Sequence, residues 1–123
     1  MPVATLGAVS LDTDEPRALA AFYRDLLELE PLFEADNFVA LKGAGVLLTF
    51  QQVADHRPAT WPGSEVPKQI HLELGVSDLD AAEAAALALG ATKAAEQPGG
   101  DGWRVFVDPA GHPFCFTTMI PDV

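Results

Sequence analysis

Two residues in the second half of the chain have the types and spacing for proton chemistry. His71 and Glu73 stand two positions apart in the aliphatic stretch from Gln69 to Val76. Side chains on a strand alternate with period two, so the imidazole and the carboxylate project from one face, together with Gln69. Histidine titrates near neutrality and a neighbouring carboxylate can orient or charge it, which makes the pair a candidate acid–base couple. His71 reads either in that way, as a group that touches a ligand, or as a hydrogen-bonded structural histidine. Cys115, the single cysteine, lies between Phe114 and Phe116. It reads either as a small buried hydrophobe or as a thiolate nucleophile paired with His71, the one cationic neighbour the sequence offers. One cysteine closes no internal disulfide and builds no cysteine-rich zinc site. His56, in a proline-rich stretch, and His112, just past a turn, read as solvent-facing.

The elements that would position these groups form a repeated pattern. Strand signals run over 3–11, followed by Asp14-Glu15-Pro16 as a helix start and by Leu19, Phe22, Leu26 and Leu29 as one apolar stripe that Pro31 stops. Strands are then expected over 32–35, 38–42 and 46–53, separated by Asp36-Asn37 and Gly43-Ala44-Gly45. After a connection rich in proline, the order recurs. A strand covers 69–76, a helix from Leu79 to Leu89 is capped by Asp78 and closed by Gly90, and strands follow over 91–96, 103–107 and 112–119. Asp14 and Asp78 lie 64 positions apart, whereas Gly45 and Gly111, like Phe50 and Phe116, lie 66 apart. Such a period is that of a whole supersecondary module rather than of a solenoid repeat. The expectation is one α+β domain over 1–123, with module 1 at 1–53, a linker at 54–67 and module 2 at 68–123.

Composition narrows the class of partner. The chain has 123 residues, 49% hydrophobic, enough for a core of its own. Seven Lys and Arg against 18 Asp and Glu leave a formal charge of −11, which would repel nucleic-acid phosphate and anionic membranes. That acidity reads as a solubility surface or as attraction for a cationic ligand. The sequence has no uninterrupted apolar run of the roughly 20 residues a spanning helix needs, and Met1-Pro2-Val3-Ala4 is unlike a signal peptide, so a cytoplasmic protein is expected.

The run from His71 to Leu79, followed by Asp108-Pro109-Ala110-Gly111-His112-Pro113-Phe114-Cys115-Phe116, resembles the vicinal oxygen chelate superfamily, of the glyoxalase and bleomycin resistance type. The superfamily also includes fosfomycin-modifying enzymes and extradiol dioxygenases. The resemblance covers essentially the whole chain and implies two βαβββ modules forming an open half-barrel cleft, commonly in a homodimer. It also implies four metal-ligand positions, which by the same spacing fall on Gly7, Thr49, His71 and Cys115. Glycine offers no donor and a threonine hydroxyl is a weak one, so a zinc or two-histidine, one-carboxylate iron site is incomplete. No metal or other cofactor is therefore expected, and glyoxalase I activity is not expected.

Side chains that would line the implied cleft are Thr49 and Gln51 on one strand, His71 and Glu73 on another, and Cys115, with Trp61 on the connecting loop reading either as a hydrophobic anchor or as a lid that contacts the ligand. Between Trp103 and Val107 the apolar Trp103, Val105 and Val107 are assigned to the core, which sends Arg104 and Phe106 to the cleft. The resulting reading is a protein that binds a small aromatic or cationic molecule without a full metal site. The alternative is an enzyme, a lyase, isomerase or dioxygenase-like protein, that uses a residual metal site or His71 and Glu73.

Overall fold

The structure is a computed structural model and describes residues 2–4, 6–43 and 45–120. The chain forms two compact units, Met1–His56 and Arg57–Val123.

The first unit runs β1 (Ala8–Thr13), α1 (Pro16–Leu27), β2 (Glu30–Ala35), β3 (Phe38–Lys42) and β4 (Leu47–Gln52), with sheet order β1-β4-β3-β2. β1 pairs parallel with β4 and the other pairs are antiparallel. Alternation places Leu11, Val39, Leu41, Leu48 and Phe50, all buried, on the face under α1. The helix packs onto β3 and β4 and buries Leu19, Phe22 and Tyr23, with the Tyr23 ring stacked 5.8 Å from that of Phe50. Each such side chain taken fully out of water contributes roughly 1.5–3 kcal/mol before entropic costs.

The expected start and stop of α1 need correction. Its N-cap is Glu15, not Asp14, and the helix ends at Leu27 because Glu28 turns left-handed at φ 52°, before Pro31 is reached. Pro31 instead lies in β2, an edge strand, where a missing N–H is tolerated.

The second unit repeats the plan with β5 (Leu72–Gly75), α2 (Leu79–Leu89), β6 (Thr92–Lys93), β7 (Trp103–Val107) and β8 (Pro113–Thr117), in the order β5-β8-β7-β6. Asp78 accepts the Ala81 N–H at 3.1 Å, and Gly90 ends α2 at φ 113°, a conformation that costs a glycine little. In the Asp108–Gly111 turn, the buried Asp108 carboxylate accepts the N–H groups of Ala110 and His112, both at 2.9 Å. β6 spans two residues where six were expected. Beyond it the Gln97 amide takes over, donating to the Ala94 and Val105 carbonyls and accepting the Val105 N–H at 2.9 Å. A side chain thus satisfies backbone groups that a longer strand would have paired. β5 likewise starts at Leu72, which leaves Gln69 outside the strand and its alternation.

Both units are α+β and both have the βαβββ order expected from the repeat. Among the described residues no helix is long and apolar enough to cross a membrane.

Candidate functional site

Strand register sorts the side chains of the second sheet into two faces. Val105 sits opposite Cys115, Trp103 opposite Thr117, and Glu73 opposite Cys115 on its other side, so these five share a face. Arg104 sits opposite Phe116 and Phe106 opposite Phe114, and these belong to the face beneath α2. Phe106, Phe114 and Phe116 form a ring cluster with centroids 5.2–5.8 Å apart. The Arg104 guanidinium reaches α2, donating to Asp80 at 2.8 Å and to Glu83 at 3.2 Å. Hydrogen bonding to Asp80, above all, holds its pKa above the ordinary guanidinium value.

The face assignment from the sequence is therefore inverted for this strand: Arg104 and Phe106 face the helix, and Trp103 and Val105 face away from it. The apolar alternation was real but was attached to the wrong surface. Both faces of β7 carry apolar side chains, and the single cation that broke the tie is neutralised by the helix rather than by water.

The face away from α2 borders a cavity of about 240 Å³. Its floor is formed by Val105, Cys115 and Thr117 of the sheet with Pro113, and Trp103 and Met119 add apolar wall. His71 and Glu73 line it from β5 and the residues before it, and Trp61 and Lys68 from the preceding loop. That loop is closed at its base, where Thr60 N–H donates to the Val66 carbonyl at 2.7 Å and Val66 N–H to Thr60 Oγ1 at 2.9 Å. Trp61 and Lys68 flank the closure and so enter the cavity from its two legs. The side chains of His71 and Glu73 do share a face. His71 Nε2 lies 3.7 Å from Glu73 Oε1, within ion-pair range for a charged imidazole but too long for a hydrogen bond.

Cys115 is 5% exposed, and burial first, then the negative charge of Glu73, pushes its thiol pKa up, while Lys68 opposes the shift. A thiol held protonated is a poor nucleophile and a poor metal ligand. Of the residues singled out from sequence, His71, Glu73, Trp61 and Cys115 line this cavity. Trp103, Val105, Lys68, Pro113, Thr117 and Met119 were missed, although Trp103 and Val105 would have followed from the opposite choice of face. Thr49 and Gln51 belong to the first unit. They share the face of its sheet turned from α1, opposite Ser10 and Asp12 of β1, with Thr49 buried and Gln51 exposed.

Register also corrects one of the four metal-ligand positions. Cys115 pairs with Glu73 and Thr49 with Ser10, so two residues earlier His71 corresponds to Ala8, not Gly7, which lies outside β1. The one-residue error came from the misplaced start of α1. The donor set becomes Ala8, Thr49, His71 and Cys115, and alanine supplies no more than glycine did. Among the described residues no three His, Cys, Asp or Glu side chains are gathered so as to hold an ion. The residues present do not fit the divalent metal of metal-dependent relatives.

A sequence profile of the glyoxalase-like domain matches residues 8–117. Comparison with curated protein sequences gave no significant match. Among solved structures, a glyoxalase/bleomycin resistance protein/dioxygenase family enzyme from Burkholderia phytofirmans PsJN superposes with a TM-score of 0.72 at 19% identity, over 92% of this chain and 97% of that one. Lactoylglutathione lyase from Agrobacterium tumefaciens gives 0.63 at 23% identity, over 95% of each chain. A fosfomycin resistance protein from Listeria monocytogenes, complexed with Mn(II) and a dihydroxypropylphosphonic acid, gives 0.71 at 17% identity, over 96% and 91%. At these identities the likeness is one of fold.

Proposed function

The chain belongs to the glyoxalase-like domain family, within the vicinal oxygen chelate superfamily, and on that premise we propose that it binds a small aromatic molecule in the cavity of its second unit without a bound metal. The observation that carries this reading is the wall of that cavity. Trp61 and Trp103 supply two indole surfaces, and Val105, Pro113 and Met119 add apolar lining, the first two buried and Met119 exposed. Aromatic contacts add about 0.5–1.5 kcal/mol beyond the area they bury, which favours a planar ligand over an aliphatic one of equal size. An apolar cavity of about 150 Å³ admits benzene. The 240 Å³ here therefore accommodates a small ring system with a short polar arm. A two-fold homodimer is part of the reading, supported by Leu32 and Phe33, which are exposed on the edge strand β2 where a second copy could cover them.

Calorimetric titration with a neutral indole such as indole-3-acetamide tests the reading. Binding should be unchanged by a chelator and should weaken about tenfold in Trp103→Ala, the equivalent of about 1.4 kcal/mol. Binding abolished by the chelator, or indifferent to the loss of Trp103, would overturn it. A second reading, catalysis, rests on the His71–Glu73 pair at the cavity edge. Its signature would be turnover of a cavity ligand that disappears in His71→Asn.

A further inference from the structure

The seven cationic side chains are not used alike. Arg17, Arg24, Lys93 and Arg104 each hold a carboxylate at 3.6 Å or closer. Lys42, Arg57 and Lys68 make no ion pair among the described residues, and of these only Lys68 lines the cavity. In a chain of net charge −11 an unmatched ammonium group beside an apolar cavity is conspicuous, because partners are plentiful elsewhere on the molecule. Lys68 also acts on the floor of the cavity, where its charge opposes the rise of the Cys115 thiol pKa. The other charged group there, Glu73, is 62% exposed and lies 3.7 Å from His71 Nε2, an ion pair only with a protonated imidazole.

We propose that the occupant of this cavity is an aromatic molecule carrying one anionic group, a carboxylate or its equivalent, which pairs with the Lys68 ammonium while the ring lies against Trp61 and Trp103. The proposal rests on the reading of the cavity as an aromatic-ligand site and adds the charge of the ligand. The protein's acidity does not forbid it. Overall charge slows the approach of an anion, but affinity is set by the local partner, and pairing in a half-enclosed apolar site is screened less than at an open surface. A charge-assisted hydrogen bond from an ammonium to a carboxylate is roughly twice as strong as a neutral one. A cationic ligand would sit in the field of Lys68.

The test uses one ring with three charges: indole-3-acetate, indole-3-acetamide and tryptamine, titrated calorimetrically into the whole protein at low salt with chelator present. The acetate should bind on the order of tenfold more tightly than the amide, and tryptamine more weakly than either. Lys68→Met should bring the acetate-to-amide ratio close to unity, and Lys68→Arg, which keeps the charge and guards against misfolding as the explanation, should preserve it. Raising the salt should shrink the ratio in the unmodified protein. Equal affinity for acetate and amide would overturn the anionic assignment and leave the aromatic site standing. Preference for tryptamine, or a ratio that survives Lys68→Met, would overturn it as well. Failure of all three ligands to bind would remove the aromatic site and this inference with it.

Discussion

The two modules share strand order and register but place their bulk in different layers. Eight residues after its N-cap, α1 carries Tyr23 and α2 carries Ala86, and both are fully buried. In the sheets the balance is reversed. The cross-strand pair Leu41 and Leu48 of the first module corresponds by register to Phe106 and Phe114 of the second. A large helix residue over a leucine pair, or a small one over a phenylalanine pair, fills the same inter-layer space at close-packed density. Both helices are also tied down by ion pairs, α1 through Arg17 to Glu34 and Asp36, and α2 through Asp80 and Glu83 to Arg104 and Lys93. The difference is that only the first brings a large ring of its own to the sheet. The register equivalent of Arg104 in the first module is Val39, a core residue. The duplicated plan thus fixes backbone register more tightly than the identity of the residue that fills each place.

The largest effect should come from breaking this exchange of volume. Tyr23→Ala is expected to cost about 3–5 kcal/mol in denaturant unfolding, since a buried ring leaves a cavity that its neighbours fill only in part. The mirror change, Ala86→Leu, should cost about 1–3 kcal/mol by overpacking. Ala86→Leu combined with Phe106→Leu should be more stable than the sum of the two single changes predicts, because the enlarged helix residue enters the space the ring vacates. Strict additivity would mean that Ala86 and Phe106 do not share that space, and the volume comparison would fail.

The same contrast explains what could be read from sequence and what could not. β3, α2 and β7 lie within the expected bounds because each is flanked by strong local signals: Asn37 and Gly43, Asp78 and Gly90, Gly102 and Asp108-Pro109. The pattern failed where a tertiary contact replaced a local rule. Gln97 supplies hydrogen bonds in place of the outer part of β6, and Asp80 and Glu83 draw Arg104 to the helix side. His71, Glu73, Trp61 and Cys115 stood out by residue type. Lys68 did not, since a lysine after a proline in a loop has no periodicity, and only the closed loop at Thr60 and Val66 brings it to the cavity.

A smaller effect should separate the helix starts. Asp78 caps α2 through its side chain, whereas Glu15 makes no side-chain cap bond and the Thr13 hydroxyl instead accepts the Glu15 N–H at 3.0 Å. Asp78→Ala should therefore cost about 1 kcal/mol, and Glu15→Ala should stay within about 0.5 kcal/mol of the unmodified protein. Equal losses in thermal or denaturant unfolding would show that the two starts are held alike.

The smallest effect is absent at neutral pH and emerges only in alkali. Thr49 and Cys115 occupy matching register positions on the faces turned from the helices, yet only the cysteine titrates. Burial, with Glu73, raises the thiol pKa in the folded chain above its unfolded value. The native state then holds its proton more tightly, so this contribution to stability is complete below the unfolded pKa, about 8.5. It is lost as pH rises from there through the folded value, where the unfolded chain has already released the proton. Cys115→Thr places the first module's residue in the second and removes the titrating group from a strand position that a β-branched side chain suits. Unfolding free energies measured from pH 7 to pH 10 should fall more steeply for the unmodified protein than for Cys115→Thr, and native Cys115 should be alkylated by iodoacetamide at pH 8 far more slowly than in denaturant. Parallel stability profiles would show that the cavity floor leaves this thiol as free to ionise as water does, and the chemical distinction between the two faces would reduce to one of shape.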